Sequence, residues 1–347
     1  MTLSPFIRAG TSASVTTVTT GAGPDRIDQA HLYTLLERPF ALEEWTRFYR
    51  GKATLTKAAE DYLLPFFGGG FVVGFELPDT LTQWFSRVGI PFLDFCICPL
   101  QFMDDIALAM RSNSDTITAR LTSFGLSKEQ CFAYAAMVKA TLKHAADYRP
   151  PTPEALQGSA TLFCAGYHKD RNLAADGRFW TYRDFTDEVL RLARQRPHSW
   201  FKPHPWAGTT PEDDAFFSGA VHAQVTRRNV YETLSVAPNL SVVSLCSSTS
   251  LEAEFFGHSG INLVGPPAKL FYTKAGTVPK GEERVTVLHD YWDSSFWAHL
   301  FGVRLSRGSR VMLDRRPNRL RSIIGFFGPA VATDLVPQHR AIQGHLD

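Results

Sequence analysis

Three short runs carry residue types suited to holding an anion. Lys202-Pro203-His204-Pro205 sets one ammonium and one imidazole among prolines. Proline restricts the backbone, so both side chains become fixed donors toward an anionic leaving group. Ser247-Ser248-Thr249-Ser250-Leu251-Glu252 puts four hydroxyl residues at a helix start. Free N–H groups and the positive dipole end there suit a phosphate, and the hydroxyls add donors. Thr249-x-x-Glu252 also matches a capping box, which would only satisfy backbone donors. Gly166-Tyr167-His168-Lys169-Asp170-Arg171 gathers titratable groups in one loop, and Gly74-Phe75-Glu76-Leu77-Pro78 contributes a carboxylate from the first half. Each has a plainer reading: a stiff turn, a solvated loop, a strand-end cap. Asp104-Asp105 is either an acid pair or a set of first-turn helix charges. Glu212-Asp213-Asp214 after Pro211 reads as a helix start without chemistry.

The elements around these runs alternate. Phe71–Phe75 and Pro91–Ile97 read as strands, and Asp79 as the cap of a helix to about Val88. Helical patterns follow near Phe102–Met110, Asp115–Phe124 and Ser127–Ala146. Tyr148-Arg149-Pro150-Pro151-Thr152-Pro153 reads as an extended linker. Beyond it come strands at Thr161–Ala165, Ser199–Lys202, Leu240–Cys246 and Ile261–Val264. Helices at Arg183–Gln195, Asn229–Val236 and Ser250–Phe256 separate them, the last stopped by Gly257. Strand–helix alternation implies parallel sheets covered on both faces, with ligands at the carboxyl ends of strands. The expected fold is α/β: two Rossmann-like domains, residues 1–150 and 151–347, facing a cleft.

The chain has 347 residues, long enough for two cores. Hydrophobic residues at 44% and charged residues at 20% place it among globular proteins. A net charge of +2, with no basic-aromatic face, gives no support for a nucleic-acid partner. The five cysteines form no CxxC pair and fit neither a zinc site nor a disulfide framework. A reducing cytoplasm suits them. The first residues lack a signal-peptide pattern, and no apolar run is long enough to span a bilayer. Between Arg304 and Arg321 stand seven arginines and one acidic residue, Asp314, followed by Ile323-Ile324-Gly325-Phe326-Phe327. This is either a solvated basic face backed by core or a peripheral contact with an anionic inner membrane.

Taken as a set, Gly166…Asp170, Lys202-Pro-His204-Pro, Ser247…Thr249-x-x-Glu252-Ala253 and Gly257 resemble the bacterial β-Kdo transferases of capsule and O-antigen assembly. Kdo is 3-deoxy-manno-octulosonic acid. Gly-Phe-Glu76-Leu-Pro, Pro99-Leu-Gln-Phe-Met-Asp104-Asp105, Arg111-Ser112-Asn113 and Tyr291…Phe296-Trp297 are similar to that family's other segments. The resemblance spans roughly residues 71–300. It departs at Tyr167, where the family has Gln, and at Ser247-Ser-Thr-Ser-Leu-Glu252, where it has Ser-Leu-Thr-Gly-Phe-Glu.

The resemblance implies a GT-B-like fold and a CMP-β-Kdo donor, with His204 and Ser247 holding the CMP phosphate. Lys202, Ser248, Thr249 and Glu252 complete the expected donor-binding set. Asp170 would be the catalytic aspartate, carrying the sugar covalently with retention, and Glu76 the acceptor-side base. The acceptor would be a glycan or lipid-linked glycan. With no DxD motif, neither a metal nor another cofactor is expected. Two alternatives stand: an inverting CMP-sialic-acid-type transferase, and a non-catalytic glycan-binding or scaffold module.

Overall fold

A computed structural model describes residues 3–21, 23, 26–146, 158–175, 177–204, 208–305 and 310–324. The linker at 148–153 and the apolar run from 325 onward lie outside these residues, as does Pro205. β1 (Thr19–Thr20) and β2 (Arg26–Ile27) form a small parallel pair. β3 (Val72–Phe75), β4 (Phe92–Ile97) and β5 (Leu108–Ser112) begin a first large sheet. β6 (Ser159–Cys164), β7 (His198–Lys202), β8 (Gln224–Val225), β9 (Asn239–Ser244) and β10 (Ser259–Asn262) build a second. The chain then returns, adding β11 (Leu270–Phe271) and β12 (Arg284–Val287) to the first sheet.

The second sheet runs in the order β10-β9-β6-β7-β8 and is parallel throughout. The chain steps outward from β6 to β8, crosses over, and steps outward again from β9 to β10. That is the doubly wound order, and its direction reverses between β6 and β9, where such sheets open a crevice at their carboxyl edge. Alternate residues serve opposite faces. Leu162, Cys164, Trp200 and Val242 pack into one core cluster, while Phe163, Phe201 and Val243 join another with Val189 and Leu192 of the helix Thr186–Arg194. The central strands β6 and β9 are buried along nearly their whole length because both faces are covered, while the edge strands β8 and β10 are more exposed.

The first sheet, β11-β12-β5-β4-β3, is mixed, since β5 lies antiparallel to both β4 and β12. Two expectations change here. Residues 102–110 are not a helix: they turn and then enter β5, whose Leu108, Ala109 and Met110 are fully buried. Helix propensity differences of under about 1 kcal/mol per residue yield to that burial and to pairing on both edges. Nor does everything after 151 stay with the second half. β12 pairs with β5 and brings Arg284, whose Nη2 lies 2.6 Å from the buried Asp94 carboxylate. A fully buried carboxylate requires such partners. The helix Ser294–Phe301 likewise packs on the helix Ser4–Thr11, so closely that a Cβ on Gly10 would lie 2.3 Å from the Ser294 carbonyl oxygen.

One core cluster is common to both halves. It joins Cys96, Cys98 and Ala109 of the first sheet to Leu162 and Val242 of the second, and includes Phe102, Phe255 and Phe256. All five cysteines are buried and free. Tyr291 and Trp297 are fully buried, with the Tyr291 hydroxyl donating to the Ile106 carbonyl at 2.6 Å. No helix among the described residues is long and apolar enough to cross a membrane. Among the described residues of the basic segment, most arginines form ion pairs, largely at the surface. Arg310 pairs with Asp293, Arg315 with Asp290, and Arg316 and Arg319 with Asp314, while Arg321 is buried.

Candidate functional site

The expected site residues come from the carboxyl ends of β6, β7 and β9, plus one residue from the end of β3. After β6 the chain turns, with the Asp170 N–H donating to the Tyr167 carbonyl at 2.8 Å. Asp170 caps a short 3-10 turn, Arg171–Leu173, and its Oδ1 accepts the Asn172 N–H at 2.8 Å. The Asp170 charge acts on Glu76, His204 and Cys246.

Glu76 follows β3 with a left-handed backbone (φ 56°), uncommon outside glycine, while its N–H donates to the Phe95 carbonyl at 2.8 Å. Its carboxylate pairs with Arg171. Burial pushes its pKa up to about 6; Arg171 opposes that shift, and the charges of Asp170 and Asp94 add to it. Glu76 and Asp170 stand 94 positions apart in sequence, yet the fold makes them neighbours across the junction of the two halves.

The helix Leu42–Tyr49 and the residue after it hold this junction. The Tyr49 hydroxyl donates to the Glu76 carbonyl at 3.1 Å and accepts from Arg171 Nη1 at 2.6 Å. Arg50 donates to the carbonyls of Asn172 at 2.7 Å and Ala174 at 3.1 Å. The Gly177 N–H donates to Thr46 Oγ1 at 3.0 Å. Sequence reasoning placed Arg171 beside Asp170 but missed its pairing with Glu76, and it missed Tyr49 and Arg50. No local signal marks them, because their partners are far away in the chain. Beneath lies Asp94, fully buried, accepting from Arg111 at 3.1 Å, Arg284 at 2.6 Å and the Leu77 N–H at 3.0 Å.

His204 stands past the end of β7, half-buried, its backbone bonded twice to Gly208 at 2.8 and 2.9 Å. Burial lowers its proton affinity; Asp170 acts the other way, and Lys202 and His168 reinforce the lowering. The ring of Tyr167 lies 6.4 Å from that of His204 and 5.1 Å from that of His168. Ser247, Ser248 and Thr249 are half-buried, and Ser247 is the helix N-cap, accepting the Thr249 N–H at 3.3 Å. Beneath this turn Ser250 Oγ bonds Ser244 Oγ and Asn262 Oδ1, each at 2.7 Å. Gly260 is required here, since a Cβ would lie 1.7 Å from the Ser250 carbonyl oxygen.

Other expected residues have different roles. Lys202 directs its ammonium to the Arg228 carbonyl at 2.6 Å, and burial lowers its pKa. Its charge acts on His204. Glu252 closes no capping box. It is fully buried, accepts the Tyr231 hydroxyl at 2.9 and 3.1 Å, and accepts the Gln101 N–H from the first half. Burial raises its pKa to about 7. Asp79 is not a cap, since Pro78 holds that position; its carboxylate pairs with Arg111 at 3.1 Å. Asp104 and Asp105 form no catalytic pair. Asp104 bonds His289 at 3.1 Å, while the fully buried Asp105 accepts the N–H groups of Leu320 and Arg321 at the start of the helix Arg319–Ile324. Glu212, Asp213 and Asp214 occupy the first turn of a helix capped by Thr210, as read from sequence.

Among the described residues, no three His, Cys, Asp or Glu side chains are grouped to hold a metal. The chain is a mixed α/β protein whose second half has doubly wound strand order. No protein-family model matches it, and neither does any curated protein or solved structure.

Proposed function

We propose that this chain is a GT-B-like glycosyltransferase that moves Kdo from CMP-β-Kdo to a sugar acceptor with retention of configuration. The observation that carries the reading is that Asp170, His204 and Ser247 follow β6, β7 and β9 at the carboxyl edge of the doubly wound sheet, while the Arg171 side chain joins the Asp170 turn to Glu76 of the first half. Such an edge is where nucleotide ligands bind. The choice of CMP and Kdo rests on the sequence resemblance.

In this reading the imidazole of His204 and the hydroxyls of Ser247, Ser248 and Thr249 meet the single phosphate. The carboxylate of Asp170 attacks the anomeric carbon C2, and the C2–O bond to phosphate breaks with its electron pair leaving on CMP. An acceptor hydroxyl then gives its proton to Glu76 and attacks C2, releasing Asp170. A carboxylate whose pKa is raised to about 6 by burial is a stronger base than an exposed one. The acceptor is a glycan or lipid-linked glycan, reached from the cytoplasmic side.

Calorimetry tests the donor class. CMP is expected to bind in preference to UDP or GDP, equally well with EDTA present, and His204→Ala to weaken CMP by about 1.5–3 kcal/mol. Preferential UDP binding, or loss of CMP binding with EDTA, would overturn it.

A further inference from the structure

We infer that Arg171 is the residue that selects a donor sugar bearing a carboxylate next to its anomeric carbon, exchanging its ion pair with Glu76 for one with the substrate. The inference rests on the proposed function and adds a specificity residue to it.

Three observations carry it. Arg171 directly follows Asp170, and its guanidinium crosses to the carboxylate of Glu76, so it stands between both acids. The guanidinium is largely buried and aimed by Tyr49, whose hydroxyl accepts from Nη1 at 2.6 Å and whose ring centre lies 5.6 Å away. The backbone of the turn is tied separately, through Arg50 to the carbonyls of Asn172 and Ala174. The turn can therefore stay in place while the Arg171 side chain changes partner.

Substrate chemistry makes the exchange necessary. In an ulosonic acid the C1 carboxylate is bonded to C2, the atom that the proposed nucleophile attacks. A third anion beside Asp170 and Glu76 is repelled unless a cation meets it. Guanidinium offers two parallel donors that fit a carboxylate. When Arg171 turns to the substrate, Glu76 loses its counter-charge and is left under the negative charges of Asp170 and Asp94, with Arg284 as the remaining cation near it. Its affinity for the acceptor proton then rises once the donor is seated, which couples donor recognition to activation of the base.

The test compares CMP-Kdo with its C1 carboxamide as donors for the intact protein, alongside Arg171→Gln and Arg171→Lys. The native protein is expected to favour the acid by about 10- to 100-fold in kcat/KM, the range for a hydrogen bond to a charged group. Arg171→Gln is expected to lose that preference while binding CMP alone within about twofold of the native protein, and Arg171→Lys to keep part of it. Because Arg171 lowers the proton affinity of Glu76, Arg171→Gln should also move the acidic limb of the pH–rate profile upward. Equal use of acid and amide by the native protein overturns the inference and leaves the transferase reading intact. An Arg171→Gln variant that still favours the acid, or that loses CMP affinity as steeply as turnover, also overturns it. If the native protein uses neither donor, the transferase reading falls and takes this inference with it.

Discussion

Replacing Glu252 with glutamine should abolish one specific component of the protein's pH-dependent stability. Glu252 has no exposed surface, and its carboxyl accepts the Tyr231 hydroxyl and the Gln101 N–H, joining the second half to the first. Arg321 closes the same junction by donating to the Gln101 carbonyl at 2.7 Å and the Met103 carbonyl at 2.9 Å. Burial raises the Glu252 pKa from 4.5 to about 7, and Tyr231, Gln101 and Arg321 offset the shift only in part. A folded-state pKa above the unfolded one means that the folded chain keeps a proton the unfolded chain has lost. Its stabilising contribution is full below about pH 4.5 and declines as pH rises through about 7. The rise from 4.5 to about 7 corresponds to about 3 kcal/mol between those limits. Glutamine keeps the shape and a carbonyl acceptor but does not titrate. Urea unfolding of both proteins at pH 4.5 and pH 8 measures the effect, because other titrating groups cancel in the difference. Relative to the native chain, Glu252→Gln should gain about 3 kcal/mol on going from pH 4.5 to pH 8. A difference between the two proteins that does not change with pH would refute the assignment of Glu252 as a protonated latch.

Two further carboxylates give separate tests. Deprotonation of Glu76 should limit transfer at low pH, so kcat/KM should rise with pH through about 6, and Glu76→Gln should lower transfer by about 100- to 10,000-fold while leaving CMP affinity intact. Asp105→Ala removes the acceptor for the N–H groups of Leu320 and Arg321, so chemical unfolding should show a loss of about 2–3 kcal/mol, with Asp105→Asn retaining part of it.

The second half was legible in the sequence because its signals are local. β6, β7 and β9 carry short apolar runs, each is followed by a loop and a helix, and the runs at Gly166, Lys202 and Ser247 all fall at strand ends. The first half depends on distant pairing. β5 looks helical because Leu108, Ala109 and Met110 favour helix in isolation, and only its neighbours β4 and β12 make it a strand. β12 arrives from more than 170 positions away, and β11 is two residues long, so neither announces itself. The capping-box pattern at Thr249 and Glu252 misled for the same reason: Ser247 is the cap, and the partner of Glu252 is Gln101, 151 positions earlier. Asp170 and Glu76 could each be proposed from residue type and position. Their adjacency, the roles of Tyr49 and Arg50 in holding it, and the Arg171–Glu76 pair follow only from the folded chain.

The most direct test of the proposed reaction is intact-protein mass spectrometry after mixing with CMP-Kdo and no acceptor, with Glu76→Gln slowing release. A mass increase equal to one Kdo residue, mapped by proteolysis to Asp170 and absent from Asp170→Asn, is the predicted result. An Asp170→Asn protein that still transfers Kdo, or a product with inverted, α-linked Kdo, would contradict it.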